Sequence, residues 1–387
     1  MKGKRGMLVV VLGALLAALM FCATVQAAEP PIKIGAILSV TGPASFLGAP
    51  EARTLEMLVD EQNKKGGIKG RKIELIIKDS AASPEKAFSF AKQLIEESKV
   101  FAIIGPSTSG ETMKIKSVAE EGKTILLSCA AADVIVNPVA KYVFKTPQKD
   151  SDAVIKIYEQ MKKMKISRIG VLSSNTGFGQ AGKALIEKLA PSYGITILAN
   201  EVYDKAASDL TAEVTKIKSA NVQGIINWSI EPAQAIVIKN ARQIGFKAPI
   251  FQSHGFGNIK YVEAAGPAAE GVLFPAGRLL VADVLPKKHP QRDLLVKYKK
   301  DYESKYKEDA STFGGHAYDA FIILVKAIEK ANSTDKETVR TAIEHLMNVV
   351  GTGGVFNFSP SDHNGLNVDA FEMLTVTKGK FTIYKQK

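Results

Sequence analysis

Short apolar runs alternate with helical patterns along almost the whole chain, and this alternation is what most constrains the fold. In the first third of the sequence, strands are predicted at residues 32–38, 72–77, 100–104 and 124–127. Helices are predicted near residues 49–63, 84–98 and 110–121. Uninterrupted apolar strands are typical of a parallel sheet that crossover helices cover on both faces. The pattern therefore predicts an α/β fold.

A second series of the same kind follows the first. Its strands are predicted at residues 168–172, 196–202, 222–228 and 249–252. Its helices are predicted to begin near Asp150, Gly179, Asp209, Pro232 and Asn258. A chain of 387 residues is too long for one hydrophobic core. The two series therefore predict two lobes that face each other across a cleft.

Two segments are predicted to connect the lobes, because each follows an apolar strand and contains a proline or glycine. They are residues 145–147 and 274–277. Three later helices, at residues 291–306, 312–331 and 336–348, are predicted to return to the first lobe. The end of the chain alternates strand-like runs at residues 354–358, 371–377 and 380–384 with turns. Such alternation is typical of antiparallel β structure.

These assignments give predicted ranges for the two lobes. The N-terminal lobe comprises residues 28–147 and 278–350, and the C-terminal lobe comprises residues 148–277 and 351–387. The first 27 residues are assigned to neither lobe.

Residues 1–27 are predicted to be a cleavable signal peptide. Three cations precede an apolar run over residues 7–23, and small residues precede a cleavage site near Ala27. A membrane anchor is the alternative, but the apolar run is short of the roughly 20 residues that a span needs. Lipidation at Cys22 is disfavoured by the bulky Phe21 before it. We therefore expect export to the periplasm.

Charge and cysteine content narrow the possible functions. Without the three signal-peptide cations, 48 of the 51 basic residues remain against 39 acidic ones, a formal charge of +9. The lysines are interleaved with acidic residues along helices, which indicates a solvated face rather than a nucleic-acid-binding surface. Only Cys129 remains after cleavage, so no intramolecular disulfide is available.

The segment from residue 60 to residue 79 ends a helix, turns and begins a strand. Cations near Lys65 suit the carboxyl end of the helix, and Gly66 and Gly67 supply the conformation that ends it. Ser39–Pro43 closes the first strand. These segments, with residues 101–106, 177–179 and 313–318, resemble the periplasmic amino-acid-binding receptors of the leucine/isoleucine/valine type, which serve ABC importers.

The resemblance covers nearly the whole chain after the signal peptide. It implies a clamshell of type I connectivity, with two Rossmann-like doubly wound lobes and three interlobe crossovers. It also implies a monomer that binds a small amphipathic molecule between the lobes and delivers it to the membrane subunits of an ABC permease.

The segment Gly105–Gly110 follows a strand and opens a helix. Unpaired N–H groups and the helix dipole favour an anion at such a position, although Thr108 or Ser109 could equally serve as an ordinary N-cap. The resemblance implies that Ser109 binds the carboxylate of the ligand.

Two loops depart from the pattern of the family. The resemblance implies a ligand-binding carbonyl at Ala130 and a threonine hydroxyl at the position of Ala132, which an alanine cannot supply. It also implies a glutamate near Gly255 that pairs with the ammonium group of the ligand, yet residues 252–258 contain no carboxylate. The ammonium anchor is therefore predicted to be weakened or absent. Two ligand classes follow: a hydrophobic amino acid, or an aromatic carboxylate without an α-ammonium.

His254 is predicted at a strand end that faces the cleft, where it could donate to an anionic group. Aromatic residues at cleft positions predict an apolar or aromatic ligand body, although each alone is also compatible with a core position. These residues are Phe46, Phe178, Trp228 and Phe313.

Signals for an enzyme are sparse. The segment Gly177–Gly182 matches the G-x-G-x-x-G pattern of dinucleotide-binding proteins, but an export signal argues against a nicotinamide cofactor. Cys129 paired with His254 could be a nucleophile, and a buried structural thiol is the alternative. The five histidines show no metal-ligand spacing. We therefore predict a binding protein with neither cofactor nor metal. A ligand-sensing module and an exported enzyme are the other classes.

Overall fold

The computed structural model describes residues 29–386, and the predicted signal peptide lies outside the described residues. Five parallel strands form the first sheet, in the order β2-β1-β3-β4-β5. The strands are β1 (Ile32–Leu38), β2 (Ile73–Asp79), β3 (Ala102–Ile104), β4 (Ile125–Ser128) and β5 (Val143–Lys145).

Seven strands form the second sheet, in the order β14-β13-β10-β9-β8-β6-β7. Its parallel part repeats the order of the first sheet, and two antiparallel strands extend it at one edge, as the sequence predicts. The parallel strands are β6 (Arg168–Ser174), β7 (Thr196–Tyr203), β8 (Gly224–Trp228), β9 (Ile250–Gln252) and β10 (Leu273–Ala276). The remaining strands are β11 (Val349–Val350), β12 (Val355–Phe356), β13 (Glu372–Thr377) and β14 (Lys380–Ile383), of which β11 and β12 form a separate hairpin.

Helices connect the strands of both sheets, which confirms the α/β prediction. In the first lobe they are Ser45–Lys64, Pro84–Lys92, Ser109–Glu121, Arg292–Tyr306, Thr312–Ala331 and Lys336–Glu344. In the second lobe they are Asp150–Lys163, Gly177–Leu189, Thr211–Ser219, Ala233–Gln243 and Ile259–Ala265. No helix among residues 29–386 is long and apolar enough to cross a membrane.

The glycine turn after the first helix has the predicted form. Gly66 and Gly67 have φ values of 104° and 83°, and a Cβ on Gly67 would lie 1.9 Å from the carbonyl oxygen of Arg71. Asn63 secures the turn, because its amide donates to Ile73 O at 2.9 Å and its oxygen accepts from Ile73 N at 2.8 Å. The turn therefore delivers the chain into β2.

The two lobes have separate cores, and the chain crosses between them three times. Helix Asp150–Lys163 packs its apolar side chains in the core of the second lobe. The last crossing lies between Ala370, which packs in the core of the first lobe, and Phe371, which packs in the core of the second.

This last crossing differs from the predicted return to the second lobe at residue 351. Phe356, Phe358 and Leu366 are all buried in the first core, because the β11–β12 hairpin lies against the helices that precede it. Residues 351–370 therefore pack with the first lobe, and only the strands from β13 onward join the second sheet.

Candidate ligand-binding site between the lobes

A small cavity of about 20 Å³ lies between the carboxyl ends of the strands of both sheets. In each sheet the strand order reverses beside the first strand of that lobe, and ligands of open α/β sheets bind outside the carboxyl ends at such a reversal. The cavity is lined by Leu47, Ser107, Ser109, Cys129, Ala130, Ala131, Phe178, Ile230, His254, Gly255, Phe313 and His316.

We call Ser107, Ser109, Cys129, Ala130 and Ala131 the first-lobe face of the cavity. They follow β3 and β4, so two neighbouring strands deliver them to the same edge of the sheet. Their side chains are small, so backbone atoms form much of the surface that these residues present to the cavity.

Helix Ser109–Glu121 begins with Thr108 as its N-cap. The N-cap hydroxyl of Thr108 accepts from Glu111 N at 3.4 Å and donates to Glu111 Oε2 at 2.6 Å. Thr108 therefore uses its hydroxyl to cap the helix and does not line the cavity. Ser109, one residue further on, lies at the cavity, where its Oγ accepts from Ala132 N at 3.3 Å.

A buried network holds this loop from behind. Ser107 Oγ donates to the carboxylate of Glu51 and accepts from Ser39 N at 3.0 Å. Ser39 Oγ in turn donates to Glu111 Oε2 at 2.9 Å. Burial, and more weakly the charge of Glu111, raise the pKa of Glu51 to about 8. The network therefore fixes the loop through a carboxyl group that is mostly protonated at neutral pH.

The loop after β4 is secured by a buried lysine. Lys145 Nζ donates to the carbonyl oxygens of Ala131, Pro147 and Gln148 at 2.9, 3.0 and 3.1 Å. Lys145 thus ties the loop of the first-lobe face to the first crossover between the lobes.

We call Phe178, Ile230, His254 and Gly255 the second-lobe face of the cavity. The ring of His254 meets the ring of Phe178 edge-on, with centroids 5.6 Å apart. Trp228 stacks behind Phe178 at 5.6 Å and is fully buried in the core. A Cβ on Gly182 would lie 2.0 Å from Trp228 Nε1, so this glycine makes room for the indole ring.

The polar atoms near the second-lobe face have few partners. Neither ring nitrogen of His254 and neither carboxylate oxygen of Asp150 has a hydrogen-bond partner within residues 29–386. The two side chains face each other, with His254 Nε2 at 3.4 Å from Asp150 Oδ1. Asp150 is the first residue of its helix, and its backbone N–H donates to Asp133 Oδ1 at 2.7 Å.

Burial dominates the ionisation of these groups. Burial, followed by the charge of Asp133, raises the pKa of Asp150 well above its ordinary value, although Lys145 opposes the shift. Burial, followed by Lys145 and His316, lowers the pKa of His254 well below its ordinary value. Burial and then Lys145 lower the pKa of His316 to about 3. Both imidazoles are therefore neutral at physiological pH.

The structure brings most of the residues singled out in the sequence to this cavity. Ser109, Ala130, Phe178, His254 and Phe313 line it. Four others do not line it. Ala132 contributes only its N–H behind Ser109, Thr108 caps its helix, Trp228 lies in the core, and Phe46 packs edge-on against Tyr261 with ring centroids 5.2 Å apart.

Asp150 and His316 lie near the cavity but are not among the site residues singled out in the sequence. Asp150 has the pattern of an ordinary acidic residue in a first helical turn, so its position beside His254 follows only from the fold. His316 lies three residues after Phe313 and therefore on the same helix face, a spacing from which it could have been found.

The loop that lacks the family glutamate has no room for a side chain at Gly255. A Cβ on Gly255 would lie 2.5 Å from Ile230 Cγ2 and 2.8 Å from the carbonyl oxygen of Ser229. The packing of the second lobe therefore leaves no space for a glutamate side chain at Gly255.

The lobes touch directly around the cavity. A Cβ on Gly177 would lie 3.0 Å from Gly110 Cα, so the starts of two helices on opposite lobes are in contact. Asn258 Nδ2 donates to Phe46 O at 2.9 Å, and Thr312 N donates to Gly257 O at 3.1 Å. The clamshell is therefore closed in this arrangement.

The segment that matches the dinucleotide pattern has a packing explanation. A Cβ on Gly179 would lie 2.0 Å from Ser174 O, which places the helix tightly on its strand. Phe178 lies between the glycines and forms part of the cavity wall.

Burial, and next the charge of Glu51, raise the pKa of Cys129 well above its ordinary value, so the thiol is protonated. Within residues 29–386, no group of three potential ligands is placed to hold a metal ion.

Two α/β lobes of equal strand order, joined by three crossovers around a closed central site, define a type I clamshell receptor. Residues 31–380 match the periplasmic binding protein family, to which the chain therefore belongs. A leucine-, isoleucine-, valine-, threonine- and alanine-binding protein of Pseudomonas aeruginosa is 26% identical, over 83% of this chain and 84% of that protein.

Solved structures show the same fold. An extracellular ligand-binding receptor of Rhodopseudomonas palustris HaA2 is 28% identical, with a TM-score of 0.86 over 92% of this chain and 100% of that chain. A solute-binding protein of an ABC transporter from Rhodopseudomonas palustris BisB5, solved with 3,4-dihydroxybenzoic acid, is 17% identical, with a TM-score of 0.79 over 92% of this chain and 96% of that chain. At that identity the likeness concerns the fold alone.

Proposed function

We propose that the protein is the periplasmic substrate-binding receptor of an ABC importer and that it binds a small amphipathic carboxylate between its lobes. One observation carries the proposal: the Ser109 hydroxyl, whose oxygen already accepts from Ala132 N, lies at a cavity whose other walls are largely apolar. Delivery to an ABC permease by a monomeric receptor is part of the same proposal.

A carboxylate suits the first-lobe face. Ser109 Oγ accepts from Ala132 N, so the hydroxyl proton can point to a ligand oxygen, and a ligand carboxylate could accept from it. Ser109 is the first residue of a 13-residue helix, where the dipole favours negative charge.

An apolar ligand body suits the remaining walls. Leu47, Phe178, Ile230 and Phe313 surround the cavity, and burying one aliphatic or aromatic group among them contributes about 1.5 to 3 kcal/mol. The present cavity has room for about one water molecule, so a ligand of amino-acid size requires the lobes to separate and to close around it. The ligand would shift the population toward a closed state that the permease recognises.

Two ligand classes fit this description. The Pseudomonas aeruginosa relative is a binding protein for aliphatic amino acids, which favours a hydrophobic amino acid. The aromatic walls, together with a protein of the same fold that holds a dihydroxybenzoic acid, make a benzoate-like carboxylate the second candidate.

A thermal-shift screen followed by calorimetry tests the proposal. The protein is unfolded, dialysed and refolded to remove any ligand, then mixed with each of the twenty amino acids and with a set of benzoates and phenylalkanoates. We expect at least one carboxylate to raise Tm by several degrees, while the corresponding primary amide has no effect. If no carboxylate stabilises the protein, the proposed ligand class is wrong.

A further inference from the structure

We infer that Asp150 is the ammonium-binding carboxylate of the site and that the ligand is therefore an α-amino acid rather than a carboxylate without an amino group. The inference rests on the proposed function and specifies its ligand. It places the ammonium partner on the first crossover between the lobes, not on the loop where the family glutamate is missing.

The geometry of Asp150 is that of a charged group without its counterpart. The residue is completely buried, and neither carboxylate oxygen has a hydrogen-bond partner in the described part of the chain. Asp150 Oδ1 lies 3.4 Å from His254 Nε2, and His254 lines the cavity. A buried carboxylate without a partner costs several kcal/mol unless it is protonated or meets a cation.

Acidic side chains outnumber basic ones around Asp150, since Asp133, Asp150 and Asp152 lie near Lys145 and Lys149. Lys145 contributes one positive charge, but its Nζ is occupied by three carbonyl oxygens. Asp133 accepts from the N–H groups of Asp150 and Ser151. His254 and His316 are neutral. Lys149 pairs with Asp362 at 3.0 Å, so the cluster keeps an excess of acidic groups, which a ligand ammonium would offset.

Other carboxylates near the cavity are less suitable partners. Glu231 already accepts from Ser229 Oγ at 2.7 Å and from Ile230 N at 3.2 Å. Glu51 lies behind Ser107 and accepts a hydrogen bond from its hydroxyl. Gly255 has no room for a side chain. Asp150 is the carboxylate with two unpartnered oxygens beside a residue of the cavity wall.

The neutral imidazole of His254 complements this role. Its burial and the nearby Lys145 keep the pKa low, so one ring nitrogen carries a lone pair. That nitrogen can accept a second ammonium proton. The site would then hold an α-amino acid by its carboxylate at Ser109 and by its ammonium at Asp150 and His254.

Two pairs of probes test the inference by calorimetry. Each pair differs only in the amino group: L-leucine with 4-methylpentanoate, and L-phenylalanine with 3-phenylpropanoate. In the pair that binds more tightly, we expect the wild-type protein to bind the amino acid more tightly than the acid that lacks the amino group. The variant Asp150→Asn should reduce that preference by about 30-fold, the scale of hydrogen bonds to a charged group, with little change in affinity for the acid that lacks the amino group.

Asp152→Asn is the matched control, because it makes the same change on the same helix at a carboxylate that has no ion pair with the cavity residue His254. It should leave the preference unchanged. An unchanged preference in Asp150→Asn would overturn the inference, as would a wild-type protein that binds 4-methylpentanoate or 3-phenylpropanoate more tightly than the matching amino acid. Absence of binding by both members of both pairs, and by every acid of the screen, would instead refute the proposed function.

A measurement on the wild-type protein covers the case in which Asp150→Asn does not fold. Burial raises the pKa of Asp150 well above its ordinary value, so an ammonium group beside it should favour release of its proton. Calorimetry in buffers of different ionisation enthalpy should then detect more proton release with the amino acid than with its partner that lacks the amino group. Equal proton release for the two would overturn the inference.

Discussion

The two faces of the cavity are built on opposite principles. On the first-lobe face, small residues and backbone groups are held by a connected network in which Ser109 is bonded to Ala132 and Ser107 to Glu51. On the second-lobe face, large rings meet edge to face, and the two nitrogens of His254 have no partner in the described part of the chain.

The contrast distinguishes groups that are already positioned before a ligand binds from groups whose hydrogen bonds only a ligand can satisfy. A satisfied hydrogen-bond network is rigid, because its members hold one another in place. An unpartnered buried polar group is costly, so it favours any ligand that satisfies it. We therefore expect the first-lobe face to set the common requirement for a carboxylate and the second-lobe face to set the choice among carboxylates.

The largest effect should come from removing a ring of the second-lobe face. Phe178→Ala deletes a wall of the cavity and exposes Trp228 behind it, so the tightest acid of the screen should bind roughly 100-fold more weakly, about 2.7 kcal/mol. Calorimetry below the unfolding temperature measures this change. Phe90→Ala, at the periphery of the first lobe, is the control and should leave affinity unchanged. A loss of less than threefold in Phe178→Ala would mean that the aromatic wall does not contribute.

The network behind the first-lobe face should appear in the pH dependence of stability. The pKa of Glu51 is raised from 4.5 to about 8 in the folded protein, so the folded state holds a proton that the unfolded state has released. The free energy of unfolding should therefore decrease as pH rises from about 4.5 to 8, by roughly 2 kcal/mol between pH 6 and pH 8. Glu51→Gln should remove this part of the slope in urea unfolding.

Glu121→Gln is the control for this prediction, because Glu121 is an exposed residue at the end of the helix that Ser109 begins. It should retain the wild-type slope. An identical slope in Glu51→Gln would show that another group carries the pH dependence.

Ser109, the proposed donor to the ligand carboxylate on the first-lobe face, should have an intermediate effect on affinity. Ser109→Ala removes one hydrogen bond to a charged ligand group, so binding should weaken about tenfold for every acid that binds, with or without an amino group. Ser83→Ala makes the same change at the N-cap of another helix in this lobe and should lower only stability. Equal affinity of Ser109→Ala and the wild-type protein for all acids would exclude Ser109 from the site.

The smallest effect is expected at Trp228. Its indole lies behind Phe178 and has no hydrogen-bond partner in the described chain, so Trp228→Phe should change affinity by less than about threefold while retaining a stacked ring. Competition calorimetry resolves such a difference. A tenfold loss would place Trp228 in direct contact with the ligand and would restore the role that the sequence suggested for it.

Regular features of the fold could be predicted because they are written in local patterns. Most strands of both sheets, the glycine turn at Gly66 and Gly67 and the exact bounds of helix Thr312–Ala331 follow from periodicity and turn chemistry, whereas β5 and β10 have no predicted bounds. The return to the second lobe could not be located, because the hairpin of β11 and β12 has the same alternating pattern as β13 and β14. Which core a strand joins depends on tertiary packing.

The residues of the site also divide into those that local sequence patterns locate and those that depend on tertiary packing. Residues that follow strands, such as Ser109 and His254, could be located because parallel strands deliver their carboxyl ends to one edge. The depth of a residue behind the cavity wall is not predictable from local pattern, and Trp228 and Phe46 lie outside the cavity lining. The pairing of Asp150 with His254 joins residues more than one hundred positions apart and is visible only in the folded chain.

The contact between Gly110 and Gly177 has a consequence for selectivity by size. Two helix starts on opposite lobes meet here without any side chain between them, so this contact limits how closely the lobes can approach. Because the closed cavity has room for about one water molecule, a ligand of amino-acid size should separate the two glycines. The distance between Gly110 and Gly177 should therefore report how far a bound ligand opens the clamshell, independent of which polar groups the ligand carries.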